Sequence, residues 1–187
     1  MRIIAGQYRS RILSSPPGDA TRPTSDRLRE TLFNILAPRL QGCRFADLYA
    51  GTGAVGIEAI SRGARHVYFA ENAPPALKSL RRNLSTLKIA GGYALEDRGV
   101  MPLLQQLAKK STALNLIYLD PPYEDEEAYT QTLGFLGAHP ALLAPDAMVI
   151  AEHSARAKFS LADRYGSLTR TRIYKQGDSS LTFYTAN

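Results

Sequence analysis

The sequence has no tryptophan, one cysteine (Cys43) and three histidines (His66, His139, His153). A single cysteine excludes an internal disulfide and a thiolate metal cluster, and it fits a reducing cytoplasm. The histidines are scattered without ligand spacing, so no metal site is expected. No apolar run approaches the roughly 20 residues needed to span a bilayer. The N-terminus, MRIIAGQYRSRIL, lacks a long apolar stretch, so a signal peptide is not expected. Internal repeats and low-complexity segments are missing too. What is present is an ordinary soluble composition: 187 residues, 44% apolar and 21% charged, enough for one sizeable core.

The net charge of +6 is unevenly spread. Residues 1–44 hold eight arginines and three acids, a net of +5; residues 45–187 hold fifteen bases and fourteen acids, a net of +1. A basic front on a near-neutral body points to a polyanionic partner met at one place. A solvated arginine-rich face is the plain alternative.

The chain divides near residue 43. Residues 1–13 alternate as a hairpin, with Arg2–Ile4 and Tyr8–Leu13 joined through Ala5-Gly6-Gln7. In the second arm Arg9 and Arg11 would share one face, Tyr8 and Ile12 the other. SSPPGDATRP reads as a loop, and residues 24–37 as a helix with Leu28, Leu32, Ile35 and Leu36 in one stripe, ended by Pro38. From residue 44 to the end, strand and helix patterns alternate, and a hairpin with Gly177-Asp178 at its turn closes the chain. This pattern implies a doubly wound, mostly parallel α/β sheet with ligands at the carboxyl ends of its strands.

The first strand-to-helix turn is DLYAGTGAVGIEA, containing Gly51, Gly53 and Gly56 in a GxGxxG spacing. Such glycines let backbone approach a ligand and aim helix N–H groups at it. Glu71 ends the next strand, twenty residues after Gly51, where a carboxylate can accept both hydroxyls of a ribose. Together they point to an adenosine-containing cofactor, with a tight structural turn as the alternative. A nicotinamide dinucleotide would use the same loop; S-adenosylmethionine sites usually carry an acid at the end of the first strand, as Asp47 is here.

The stretch LNLIYLDPPYE separates the two. An apolar strand ends at Asp120, Pro121, Pro122 and Tyr123. Two prolines turn the backbone out stiffly, leaving a carboxylate and a carbonyl aimed at one spot beside an aromatic ring. Two acceptors and a stacking surface suit the exocyclic amine of a nucleobase. That amine is a poor nucleophile, and acceptors that stabilise its developing positive charge promote attack. Tyr123 would stack on an extruded base. A proline-stiffened turn with a capping acid is the alternative.

DPPY is the amino-methyltransferase signature of class I S-adenosylmethionine-dependent enzymes. With MRIIAGQYRSRIL, TRPTSDRLRETLFNIL and DLYAGTGAVGIEAISRGA it resembles the bacterial 16S rRNA (guanine-N2)-methyltransferase family, from Met1 to about Tyr123. The resemblance implies a Rossmann-like fold, a seven-stranded sheet with an antiparallel C-terminal hairpin and a small N-terminal extension. It implies S-adenosyl-L-methionine held by Asp47, Tyr49, Gly51, Thr52, Gly53, Gly56 and Asn72, with Glu71 at the ribose. An acid after the third strand usually meets the adenine; Glu96 and Asp97 are available, and Asp97 falls in the loop if the strand ends at Glu96. Residues 1–43 would dock RNA through Arg2, Arg9, Arg11, Arg22 and Arg27, each of which could instead be solvated or paired with Asp26 or Glu30. The expected partner is 16S rRNA in the small subunit or an assembly intermediate, and nothing demands a dimer. A DNA amino-methyltransferase, a nicotinamide oxidoreductase and a non-catalytic RNA-binding module are the competing functions.

Overall fold

A computed structural model describes residues 1–15 and 26–186 of the chain. The first helix, α1, spans Asp26–Leu40 and does not stop at Pro38, which lies inside its last turn. Leu36 and Leu40 are both buried, so the apolar stripe runs one turn further than the proline implied. Their burial outweighs the single N–H that proline lacks.

Beyond it the alternation is as the pattern requires: β1 (Arg44–Leu48), α2 (Ala54–Ser61), β2 (His66–Ala70), α3 (Pro74–Thr86), β3 (Tyr93–Glu96), α4 (Val100–Lys109), β4 (Leu114–Leu119), α5 (Glu126–Ala138) and β5 (Leu143–Ser154). The tail forms β6 (Arg164–Tyr165), β7 (Leu168–Gln176) and β8 (Ser179–Ala186). They make one eight-stranded sheet in the order β3-β2-β1-β4-β5-β8-β7-β6. The strand beyond the expected seven is β6, whose two residues are too few to carry a sequence pattern. The first five strands in this order pair parallel, and β8, β7 and β6 add antiparallel. Strand order reverses between β1 and β4, which makes the carboxyl edge there the natural ligand crevice.

Two apolar layers sandwich the sheet. Buried residues of α1, α2 and α3 pack with Phe45, Tyr118 and Phe183 on one face. Those of α4 and α5 pack with Leu48, Ile117 and Leu119 on the other. Ile3 and Leu13 belong to the first layer, so the N-terminal segment shares the core of the sheet.

The expected hairpin over residues 1–13 has a longer turn than its sequence implied. Ile3 N–H donates to Arg11 O (3.0 Å), Ser10 N–H to Ile3 O (2.9 Å), and Arg2 bridges Ile12. Arg9 therefore lies in the turn, and the expected division of faces fails: Ile12 is 79% exposed. Ile3 and Leu13 are the residues that anchor this segment in the core.

Candidate active site

Register sets the site. Leu48 is level with Ala70 and Leu119, Leu119 with Ala151, and Ala70 with Glu96. The next residues along these strands, Asp97, Glu71, Tyr49, Asp120 and Glu152, therefore form one row on the carboxyl edge. Asp47 sits just behind, level with Phe69 and Tyr118. Strand side chains alternate faces, so Asp47, Tyr118, Asp120 and Glu152 share the face that α1 and α2 cover.

The glycine loop is built by protein packing at two positions and open at the third. A Cβ on Gly53 (φ 79°) would lie 2.2 Å from Leu80 Cδ1, and one on Gly56 would lie 2.2 Å from Phe69 Cε1. These glycines satisfy the chain's own packing. Gly51 (φ 56°) would meet nothing within 4 Å, so its left-handed backbone faces open space where a ligand can approach. Asp47 Oδ2 accepts the Gly56 N–H at 2.7 Å, tying strand to helix. Thr52 is buried, and its carbonyl accepts from Asn83 Nδ2 at 2.9 Å. The same amide of Asn83 donates to Ser14 O (3.1 Å) and accepts from Ser14 N–H (2.8 Å). Asn83 thus links the N-terminal segment to the loop. It reads in sequence as one more polar residue of α3.

Glu71 closes the loop from the next strand. Its Oε2 accepts the Gly51 N–H at 2.7 Å, and its Oε1 accepts the Asn72 and Ala73 N–H groups at 2.8 Å each. A carboxylate has about four acceptor sites, so this arrangement leaves room for one ribose hydroxyl on Oε2 without a rearrangement. Asn72 is exposed beside Gly99, whose added Cβ would lie 3.3 Å from its Nδ2. Tyr49 (φ 63°) gives its hydroxyl to α5, 2.9 Å from Thr132 Oγ1. Its backbone is the part left to face the crevice. β3 ends at Glu96, as the loop position of Asp97 required; Asp97 pairs with Arg81 (2.8 Å) and Glu96 with Arg98 (2.7 Å). An open glycine backbone flanked by Glu71 and Asp97 fits an adenosine-bearing ligand, and buried Asp47 beside them fits the cationic part of S-adenosylmethionine.

Burial first, then the charge of Glu71, raises the Asp47 carboxyl to about 8, against the Gly56 hydrogen bond, which lowers it. An acid raised this far favours folding most below its unfolded value near 4, and that contribution is lost as pH rises through about 8. Asp47→Asn should therefore gain stability relative to the parent protein as pH goes from 4 to 8. Thermal melts across that window check it, and parallel curves would refute it.

The corner after β4 is held from below. Glu152, 1% exposed on β5, accepts the Tyr123 hydroxyl on Oε1 (2.7 Å) and the Tyr118 hydroxyl on Oε2. Ser179 Oγ lies 3.1 Å from the Tyr123 hydroxyl. The Tyr123 ring is therefore fixed by its polar end, half-buried at the crevice. Tyr129 donates to Glu152 O at 2.8 Å and lies 3.4 Å from Pro121 O. A hydroxyl has one proton and the nearer acceptor takes it, so the Pro121 carbonyl stays available. Asp120 is partly exposed, and no donor among the described residues binds its carboxylate. Burial, then the charges of Glu152 and Asp47, hold its acidity constant well above the usual carboxylate range. Asp125 caps α5 by accepting the Ala128 N–H (3.0 Å), and the acidic run 124–127 is exposed. Sequence reasoning missed Glu152 and Tyr118. The available signal was an acid inside the apolar strand AMVIAEH.

The basic front is anchored on α2. Glu58, fully buried, accepts the Ile4 (2.8 Å) and Ala5 (3.0 Å) N–H groups and pairs with Arg62 (2.7 Å). Ser61 bonds Ala5, Gln7 and Tyr8. The hairpin turn, Arg9 included, thus sits at the far end of α2, about 12 Å along the helix from the glycine loop. The segment returns to the loop at Ser14. Arg2, Arg9, Arg11 and Arg27 are exposed, and Asp26 is taken by Arg29 (2.9 Å). Arg22 lies outside the described residues.

No group of metal-binding side chains and no membrane-length apolar helix occurs among the described residues. A Rossmann-like sheet with an open glycine loop after β1 and an acceptor-rich corner after β4 defines a methyltransferase.

The chain belongs to the family described as conserved hypothetical protein 95, which matches residues 1–185. It is 35% identical to the Escherichia coli K12 protein named ribosomal RNA small subunit methyltransferase D, over 94% of this chain and 86% of that one. A hypothetical protein of Thermus thermophilus superposes with a TM-score of 0.80 at 27% identity, covering 98% of both chains. A SAM-dependent methyltransferase of Agrobacterium tumefaciens shares the fold alone, with a TM-score of 0.65 at 13% identity over 89% of this chain and 63% of the other.

Proposed function

We propose that this protein transfers a methyl group from S-adenosylmethionine to the exocyclic N2 of a guanine in 16S rRNA, within the small subunit or an assembly intermediate. The observation that carries the reading is the convergence of Asp47, Asp120 and Glu152 on one sheet face at the switch point. Acids packed together, with the Asp120 and Asp47 acidity constants pushed up, form a site that favours positive charge developing on the reacting amine. S-adenosylmethionine, when bound, supplies an electrophilic methyl on a cationic sulfur. Transfer would break the methyl–sulfur bond as the amine's lone pair forms the new N–C bond, so positive charge passes from the sulfur to the base amine. Asp120 and the Pro121 carbonyl accept its two N–H groups, and the surplus proton leaves through Asp120. Tyr123, fixed by Glu152 and Ser179, bounds the base on its flat side. Residues 1–43 dock the RNA through Arg2, Arg9, Arg11, Arg22 and Arg27; the name of the E. coli relative supports ribosomal RNA as the polyanion.

The test is methyl transfer from labelled cofactor to small subunits lacking the modification, to naked 16S rRNA and to DNA, followed by identification of the labelled nucleoside. N2-methylguanosine is the expected product. N6-methyladenine or N4-methylcytosine in DNA would replace this reading, and RNA binding without transfer would leave a docking module.

A further inference from the structure

The body of the protein is not evenly neutral. Residues 45–152 hold nine bases and twelve acids, whereas residues 153–187 hold six bases and two acids. The net of +1 over the body conceals a second basic region of +4. Both of its acids are engaged: Asp163 with Arg170, and Asp178 with Arg156 at 2.9 Å. The exposed charge of this region is therefore positive, carried by Lys158, Arg164, Arg172 and Lys175.

The topology puts much of that charge on one edge strand. β6 pairs with β7 only at Thr169 and Leu168. From Thr171 to Gln176 the outer side of β7 has no strand partner among the described residues. A bulge between Arg170 and Arg172 leaves Thr171, Arg172 and Ile173 exposed together, Ile173 at 44%. Arg172 is braced over the rings of Tyr174 (5.6 Å) and Phe183 (6.0 Å), which holds its guanidinium at the surface. This strand leads out from the catalytic corner. Gln176 is level with Ser179, whose hydroxyl is 3.1 Å from that of Tyr123. The turn between them is pinned by the Ala155 N–H to Asp178 O bond (2.8 Å).

Basic residues and a bulge on an edge strand also discourage strand-to-strand aggregation. That role does not account for the strand's link through Ser179 to Tyr123, nor for the opposite sign at the start of α5. Glu124, Asp125, Glu126 and Glu127 stand exposed at the start of α5 and repel phosphate there. A polyanion reaching the corner is turned away from α5 and toward β7.

Resting on the RNA reading above, we propose that the β7 edge, through Arg172 and Lys175, is a second RNA-docking surface. It binds phosphates flanking the target base, separately from the residues that carry the first basic excess. The experiment measures the affinity of unmodified 16S rRNA against salt concentration, alongside methyl-transfer kinetics. Each phosphate contact contributes roughly 0.7–0.9 to the slope of log affinity against log salt. Arg172→Ala with Lys175→Ala should lower that slope by about 1.4–1.8 and raise KM for RNA several-fold, with kcat and cofactor affinity unchanged. Arg172→Lys, which keeps the charge, should restore the slope in the Lys175 background by about one contact. Lys175→Ala alone changes only an exposed side chain and guards against a folding defect. An unchanged slope in an enzyme that still methylates RNA would overturn this proposal alone. A parent protein that methylates no RNA would overturn the functional reading with it. A defect confined to binding a protein strand would reassign the edge to a protein partner.

Discussion

Replacing Asp120 with alanine is expected to lower methyl transfer by about 10²–10³-fold while S-adenosylmethionine affinity stays within a few-fold. The carboxylate is the acceptor that strengthens as the amine becomes cationic, so its loss falls on the chemical step. The same change should stabilise the folded protein relative to the parent increasingly as pH rises above the ordinary carboxylate range. Burial, Glu152 and Asp47 raise the Asp120 acidity constant, so its contribution to stability is full below the ordinary carboxylate range and is lost as pH rises through the raised value. Alanine carries no such loss. Activity falling while stability rises is the mark of a residue kept for function. A collapse in cofactor binding would instead place Asp120 in the cofactor site. The acidic limb of kcat/KM reports the same group, because only the ionised acid can accept an amine N–H and then take the surplus proton. Glu152→Gln removes one of the raising charges and should move that limb to lower pH. Tyr118 and Tyr123 can still bond an amide, so their positions should survive the change.

The alternating body was legible because its helices and strands bury one stripe or run each, and local periodicity reports that directly. β4 falls at Leu114–Leu119, as read from its apolar run, because a strand buried on both faces and stopped by prolines has few alternative bounds. The glycine loop was legible for the same local reason, although Gly53 and Gly56 serve protein packing and only Gly51 faces open space. What stayed hidden depends on distant partners. Asn83 meets Ser14 from 69 residues away, and Glu58 meets Ile4 from 54. No pattern in a window of a few turns contains both ends of such a bond. Glu58 did leave a trace, a carboxylate inside the apolar helix AVGIEAIS, and Glu152 left the same trace in β5. An ionised group in an apolar run costs too much to stand alone, so each announces a partner without naming it. The hairpin turn misled because a glycine at position 6 suits several turn lengths. Its position is fixed by packing against Ser61 O, which a Cβ on Gly6 would approach to 1.9 Å.

Glu58→Ala should cost about 3–5 kcal/mol, the range for removing one partner of a buried charge pair. Three groups lose their acceptor at once: the Ile4 N–H, the Ala5 N–H and Arg62 Nε. A fourth is worse placed. Arg29 is fully buried, Glu58 Oε2 stands 4.0 Å from its Nε, and its Nε and Nη1 have no hydrogen-bond partner among the described residues. Its charge leans on Glu58, while its Nη2 holds Arg2 O and Asp26. Stability of a domain this size is itself only of order 5–15 kcal/mol, so the loss is a large share of the whole. It should appear first where the orphaned groups lie: residues 1–13 should become protease-sensitive, with RNA affinity falling before cofactor affinity. Glu58→Gln keeps one acceptor oxygen and should fall between the two. Denaturant titration with limited proteolysis reads both effects. A loss under about 1 kcal/mol, with the hairpin still protected, would mean that apolar packing of Ile3 and Leu13 holds the segment without the buried carboxylate.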